Sequence, residues 1–454
     1  MKNNSSFKML PEILSLALPT MFEQLLQTAV QYIDTAMVGS LGTQATAGVG
    51  STTTVNWLIG STVSAIGVGF LAVIAQSFGA GDKEKARKTA GQAVFTVIAV
   101  GLFFTVVTVL LSSKIPVIMH VDSKIRDISA RYFLILYIPM LFRTASIIFG
   151  TLLRAVGDTK TPMKVGIFVN IINIVLNFLL IYPTRTISIK NTSYQIIGAG
   201  MGITGAATAS AIAYTFGGIA ITVMLFRHKE ISPKGQSIKP DMNMLKPCIR
   251  IAFPNMLQRF ATSLGYVAFA AMINSLGETS TAAHTIANTV ESLFYIPGYG
   301  MQTASSALAG SAWGAGDKRK LNQTAKTILP LEVTLMIFSG GMLFISAPYL
   351  MRIFSEDAEV ISLGTTVLRM VAVSEPFYGV PIVIEGLMQG LGKTVAPFIY
   401  NVLGMWCVRI VGTYICTQVM GYGLVSAWAC MIAHNMLLFI LFIVHYASGK
   451  WKKI

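Results

Sequence analysis

The chain has 454 residues, 54% apolar and only 12% charged, with a mean hydropathy of +0.65. A soluble domain carries about 25% charged residues, so a soluble protein of this length could not coat its several domains with so little charge. An ordinary cytosolic enzyme, a disordered chain and a disulfide scaffold are excluded, and a polytopic helical membrane protein remains. The net charge of +15, from 34 Lys and Arg against 19 Asp and Glu, reads as a set of basic loops on one side of a membrane. It does not read as a nucleic-acid surface.

A membrane-spanning helix needs about 20 mainly apolar residues. Twelve stretches qualify: 12–39, 52–78, 89–112, 128–153, 162–182, 199–226, 247–275, 284–313, 324–347, 361–389, 394–418 and 423–446. The opening segment has no cleavable signal pattern, and the apolar run after it is long enough to stay in the membrane. The termini and the even-numbered loops carry 22 Lys and Arg, among them Lys83, Arg87, Arg154, Lys164, Lys239, Lys318 and Lys393, against 6 in the odd-numbered loops. This bias predicts that both termini are cytoplasmic in a multi-pass membrane protein. Cys248, Cys407, Cys416 and Cys430 form no C-x-x-C pair, so neither metal nor disulfide is indicated. His284 and His434 read as structural, and the sequon at Asn191 is weak alone.

The segment Gly79-Ala-Gly-Asp-Lys83 recurs as Gly314-Ala-Gly-Asp-Lys318, and Ser40-Leu-Gly42 recurs as Ser275-Leu-Gly277. Gly157, Thr159 and Pro162 recur as Gly392, Thr394 and Pro397, and Pro19 recurs as Pro254. All four anchors share one offset in the numbering, 235. A duplicated unit of six spans follows. The expected fold is an all-α integral membrane protein whose twelve transmembrane helices form two six-helix bundles, related by a pseudo-two-fold along the membrane normal. Residues 1–226 make the N-terminal bundle, 227–246 a cytoplasmic linker and 247–454 the C-terminal bundle. Such paired bundles alternate access to a cavity between them.

Charges and amides inside spans default to functional hypotheses. In span 1, Glu23, Gln27, Gln31 and Asp34 fall at about 0°, 40°, 80° and 20° on a helical wheel and make one polar stripe. Asn170, Asn173 and Asn177 share a face of span 5, and Thr208 and Ser210 add hydroxyls in span 6. One carboxylate with amide and hydroxyl oxygens suits a hard cation or a proton. The second half lacks these groups, since Asp34 maps onto Phe269, Asn173 onto Val408 and Asn177 onto Gly412. It has its own polar set instead: Gln258, Arg259, Thr262 and Tyr266 in span 7, Glu291 in span 8, and Glu375, Tyr378 and Glu385 in span 10. An ion pair of Arg259 or Arg409 with one of these acids is the structural alternative to a substrate role. No nucleotide-binding motif is present, which leaves an ion gradient as the energy source.

Twelve spans in two repeats, the run Gln31-Tyr-Ile-Asp-Thr-Ala-Met-Val-Gly39, the G-A-G-D-K loops and the turn Arg154-Ala-Val-Gly-Asp-Thr159 resemble multidrug and toxic compound extrusion (MATE) transporters over essentially the whole chain. The bacterial members with a glutamate in span 8, here Glu291, are the most similar. The resemblance implies a Na+- or H+-coupled antiporter, not an enzyme, exporting cationic amphipathic drugs by alternating access. It implies a cation site of Asp34, Asn173, Asn177 and Ser210, with Asn177 standing where the family has a second acid. Asp34 is then the metal ligand if the ion is Na+. Gln27, Gln31, Arg259, Glu291, Glu375, Tyr378 and Glu385 are the expected substrate contacts. No cofactor beyond the coupling ion is expected. The expected partners are organic cations and membrane lipids, with no nucleic acid, and the expected state is a monomer. The rival reading is a lipid-linked oligosaccharide flippase of the same superfamily, which would need a cavity rich in Arg and Lys.

Overall fold

The computed structural model describes residues 3–50, 52–119, 121–189 and 192–452, so Asn191 of the sequon lies outside the described residues. Span 1 is Asn3–Gly39, span 2 is Thr43–Gly50 with Thr53–Gly79, span 3 is Lys83–Leu111, and span 4 is Ser123–Tyr137 with Met140–Ala155. Spans 5, 6 and 7 are Lys160–Ile181, Gly202–Arg227 and Met242–Asn274. Span 8 is Glu278–Phe294 with Ile296–Gly314, span 9 is Lys318–Phe354, span 10 is Ala358–Gly390, span 11 is Val395–Val419 and span 12 is Leu424–Ala447.

Ten of these are individually long and apolar enough to cross a membrane, and span 4, bent by 52° before Met140, supplies an eleventh. Span 8 is the twelfth. Its first helix carries Glu278, His284 and Glu291, and it breaks at Tyr295, just before Pro297 in the first turn of the second helix. Span 11 departs from α geometry over Gly404–Ile410 and Ile415–Val419, where it widens to π-helix.

The all-α expectation holds for the spans, but the loop after span 5 does not fit it. Pro183–Ile189 (β1) and Thr192–Ala199 (β2) pair antiparallel as a hairpin. The β-branched run of Thr and Ile in β1 favours that pleat. Span 7 begins at Met242, inside the stretch read as linker. The remainder of that stretch is fastened to span 3: Arg87 Nη2 donates to the Lys229 carbonyl at 2.6 Å and Gln92 Nε2 to that of Lys239 at 2.9 Å.

The repeat anchors are turn chemistry. Gly81 and Gly316 both take a left-handed φ, 74° and 68°, and the aspartate after each caps the next helix. Asp82 accepts from Lys85 N at 2.9 Å and Asp317 from Lys320 N at 2.8 Å. An L side chain resists that φ, and a short acid at the cap satisfies an orphan amide. Both copies therefore require Gly-Asp at this point.

At the end of the bundles carrying these basic turns, the two halves meet backbone to backbone. A Cβ on Gly79 would lie 1.9 Å from the Ser311 carbonyl oxygen, and one on Gly314 would lie 1.8 Å from that of Gln76. Gly79 and Gly314 are repeat mates, and so are the positions of Gln76 and Ser311. The contact is therefore reciprocal, as a two-fold axis between spans 2 and 8 requires. Gln76 Nε2 donates to the Gly390 carbonyl at 2.9 Å, and Ile13, Ala17, Met301, Ala304 and Val383 fill the same seam. Toward the opposite end the halves touch through side chains: Tyr32 Oη donates to the Thr289 carbonyl at 3.1 Å, and Trp57 meets Tyr266 edge-on at 6.1 Å.

Candidate functional site

Periodicity and small residues bring three elements of the first half together. Asp34 lies about one turn before the end of span 1. Asn173 and Asn177 are one turn apart on a single face of span 5. The glycine- and alanine-rich start of span 6 lets span 5 approach: a Cβ on Gly205 would lie 2.5 Å from the Leu180 carbonyl oxygen. Asn177 Nδ2 donates to Asp34 Oδ1 at 2.5 Å and lies 3.1 Å from Asn173 Oδ1. Asn173 and Ser210 Oγ are 3.1 Å apart. The two asparagines are buried, while Asp34 is half-buried.

The Asn173 amide is satisfied when its nitrogen faces Asp34. With its nitrogen toward Asp34 it donates to Oδ1 at 2.9 Å and Oδ2 at 3.1 Å, and its oxygen accepts from Ser210. One carboxylate with amide and hydroxyl oxygens has the chemistry of a monovalent hard-cation or proton site. No cluster of three or more His, Cys, Asp or Glu suited to a metal occurs among the described residues.

The polar stripe of span 1 divides. Glu23 is buried and accepts from Arg154 Nη2 at 2.8 and 2.7 Å on its two oxygens, a structural ion pair between spans 1 and 4. Gln27 and Gln31 are exposed. Thr208 Oγ1 bonds its own helix, donating to the Thr204 carbonyl at 2.7 Å, and the Asn170 nitrogen has no partner among the described residues. Neither joins the Asp34 group.

In the second half a cavity of about 130 Å³ is lined by Gln258, Arg259, Glu291, Tyr378, Glu385 and Arg409, with Trp57 contributed by the first half. Glu385 is buried, accepting on Oε1 from Gln258 at 2.9 Å and Gln389 at 3.0 Å, and on Oε2 from Asn401 at 3.2 Å. Tyr295 Oη donates to Glu291. The Arg409 guanidinium lies 4.1 Å from the Phe269 ring centroid and 4.9 Å from that of Tyr266. The residue replacing Asp34 by repeat symmetry is thus a cation–π platform. Among the described residues neither Arg259 nor Arg409 pairs with a carboxylate, so the expected alternative of an arginine ion pair is not formed. Glu375 is fully buried and does not line the cavity. Sequence reasoning passed over Glu332, Gln389 and Asn401. Glu332 had a signal, as a lone acid in the middle of the apolar run of span 9.

The MatE family matches residues 19–179 and again 254–415, and the two matches begin at Pro19 and Pro254, a mated pair of the internal repeat. The "probable multidrug resistance protein NorM" of Thermotoga maritima is 27% identical over 442 residues, covering 97% of this chain and 93% of that protein. A MOP superfamily transporter from Pyrococcus furiosus superposes with a TM-score of 0.89 at 22% identity, over 98% of this chain and 96% of that one. A multidrug resistance MATE family transporter in an outward-facing conformation also gives 0.89, at 22% identity and the same coverages of 98% and 96%. The two bundles, their reciprocal seam and the duplicated match agree: the chain belongs to the MatE family and is a multi-pass membrane transporter, not an enzyme.

Proposed function

We propose that this transporter exports cationic amphipathic drugs and other xenobiotics in exchange for Na+ or H+, with Asp34, Asn173, Asn177 and Ser210 as the coupling-ion site. The observation that carries the reading is the Asp34–Asn177–Asn173–Ser210 chain of contacts, which converges four polar groups inside otherwise apolar helices. Polar groups at that depth are costly unless they serve a ligand or each other. The name of the Thermotoga relative supports multidrug efflux as the task.

Substrate is assigned to the cavity in the second half, where Glu291 and Glu385 meet the positive charge and Tyr378, Trp57 and Tyr266 supply apolar faces. Arg259 sits at the same cavity. An oligosaccharide flippase would need basic groups to meet a pyrophosphate, and the two arginines here are accompanied by two acids. The distribution of Lys and Arg supports cytoplasmic termini, and the bacterial relative supports a bacterial inner membrane. The seam at Gly79 and Gly314 then closes the cytoplasmic side, and the exchange proceeds by opening that seam while the opposite end closes.

The test is efflux of a fluorescent organic cation from proteoliposomes with sodium and pH gradients imposed separately. The reading requires one of the two gradients to drive efflux by the wild type and to fail with Asp34→Asn. Efflux that ignores both gradients would refute it.

A further inference from the structure

Spans 8, 9 and 10 enclose two carboxyls used by neither the Asp34 group nor the cavity. Glu332 of span 9 and Glu375 of span 10 are each 0% exposed, and none of their four carboxyl oxygens has a hydrogen-bond partner among the described residues. Neither is within ion-pair distance of a Lys, Arg or His among those residues.

A glycine stands opposite each. A Cβ on Gly379, one turn after Glu375 on the same face of span 10, would lie 2.6 Å from Glu332 Oε1. One on Gly298 of span 8 would lie 3.2 Å from that oxygen. One on Gly340 of span 9 would lie 2.4 Å from the Ala372 carbonyl oxygen and 3.2 Å from Glu375 Cβ. Glycine backbone closes on the Glu332 carboxyl and on the Glu375 Cβ, and no carboxyl oxygen of the pair has a polar partner among the described residues, unlike the shell of six or more oxygens a hard divalent cation takes. A carboxylate sealed in apolar surroundings without a counter-charge is far costlier than the neutral acid. The packing therefore holds protons.

The pair also sits at a break in the helix. Pro376, directly after Glu375, has no N–H to offer the Ala372 carbonyl, and that carbonyl is the one Gly340 faces. The groups around the pair are Glu291 and Tyr295 of span 8 and Tyr378 of span 10, with the Tyr295 and Tyr378 rings 4.9 Å apart. Span 1, also packed on span 9, directs Glu12 to Lys320 at the basic end, 2.9 Å apart. Span 12 brings His434 to the cavity, and Arg409 of span 11 is engaged with Phe269. No cation in this set compensates the two acids.

We propose that Glu332 and Glu375 form a proton-binding pair, separate from the Asp34 group, that carries its protons while spans 8, 9 and 10 are packed and releases them when those helices part. On release, the carboxyl O–H bond breaks, the proton passes to entering water and a carboxylate remains. Repacking takes the proton back.

The test has a spectroscopic readout that does not depend on transport and an efflux readout that rests on the function proposed above. Infrared spectra of the purified protein in lipid at neutral pH are compared for the wild type, Glu332→Gln and Glu375→Gln. The expected result is a carbonyl stretch of protonated carboxylic acid, one component of which is lost in each variant. Gln mimics the neutral acid in size, and either variant alone decides the question if the other fails to fold. Efflux is then measured against pH with the Asp34 group intact. Each proton that must be regained changes the rate about tenfold per pH unit on the alkaline limb, so the variants should hold their rate where the wild type loses it. A wild type without neutral-acid absorbance assignable to either residue overturns the proposal. So does an efflux profile that keeps its alkaline limb in both variants. Absence of gradient-driven efflux by the wild type, with the spectroscopic result intact, would instead strike the transport reading.

Discussion

The reciprocal glycine seam makes a quantitative prediction for Gly314→Ala. The new methyl would start 1.8 Å from the Gln76 carbonyl oxygen and 2.5 Å from its carbon. Ordinary contact is reached only near 3.4 Å, so spans 2 and 8 must move apart until that gap is made up. Both sides of the contact are backbone, so no rotamer change relieves it. Overpacking of this kind costs about 1–3 kcal/mol, and the absence of a flexible partner places this case at about 2–3 kcal/mol. The cost falls only on the state closed at the basic end, so the closed-to-open ratio drops roughly 30- to 150-fold. Spin labels at the exposed positions Lys85 and Arg319, in a background without the four native cysteines, report the separation of the basic ends. The expected result is a shift of the distance distribution toward the open state, with slowed efflux. Gly341→Ala is the control, because a Cβ there meets nothing within 4 Å. An unchanged distribution for Gly314→Ala would refute the assignment of this seam as the closed gate.

Two further outcomes follow from the polar contacts. Arg154→Met leaves Glu23 buried without its partner, and stripping one member of a buried pair costs about 3–5 kcal/mol; thermal unfolding in detergent should fall by several degrees, and a loss under about 1 kcal/mol would show that the pair is solvated. Glu385→Gln keeps the shape of a group held by Gln258, Gln389 and Asn401 but removes its charge. Export of cationic drugs should drop about tenfold more than export of neutral ones, a difference of about 1.4 kcal/mol, and equal losses for both classes would favour a purely structural role.

Much of this was legible in the chain because its physics is periodic. The apolar runs marked the spans to within about two helical turns, except that spans 1 and 2 begin earlier than read, at Asn3 and Thr43, and the constant offset between the G-A-G-D-K loops and the other repeat anchors marked the two bundles. Asp34, Asn173 and Asn177 were legible because spacing along a helix decides which side chains share a face. The same wheel misplaced Glu23. A projection ignores depth, and Glu23 lies three turns before Asp34, about 16 Å along the axis, so Glu23 meets Arg154 instead. The contact of Arg409 with Phe269 was not legible, because span 11 is π-helical there and a wider turn moves every later residue off its α-helical face. The hairpin after span 5 was hidden because polar residues between spans read as loop whatever their pairing. The breaks in spans 4 and 8 depend on which carbonyls find partners after Pro139 and Pro297, which only packing decides.

The central claim is that the Asp34 group carries the coupling ion, and the most direct measurement is ion-driven exchange by Asp34→Asn in proteoliposomes. The substitution removes the site's carboxylate while preserving an acceptor for the Asn177 amide, bonded at 2.5 Å in the wild type. The account predicts normal yield and melting temperature, retained drug binding at the cavity of the second half, and loss of efflux under both sodium and pH gradients. Efflux at the wild-type rate under the gradient that drives the wild type would contradict it.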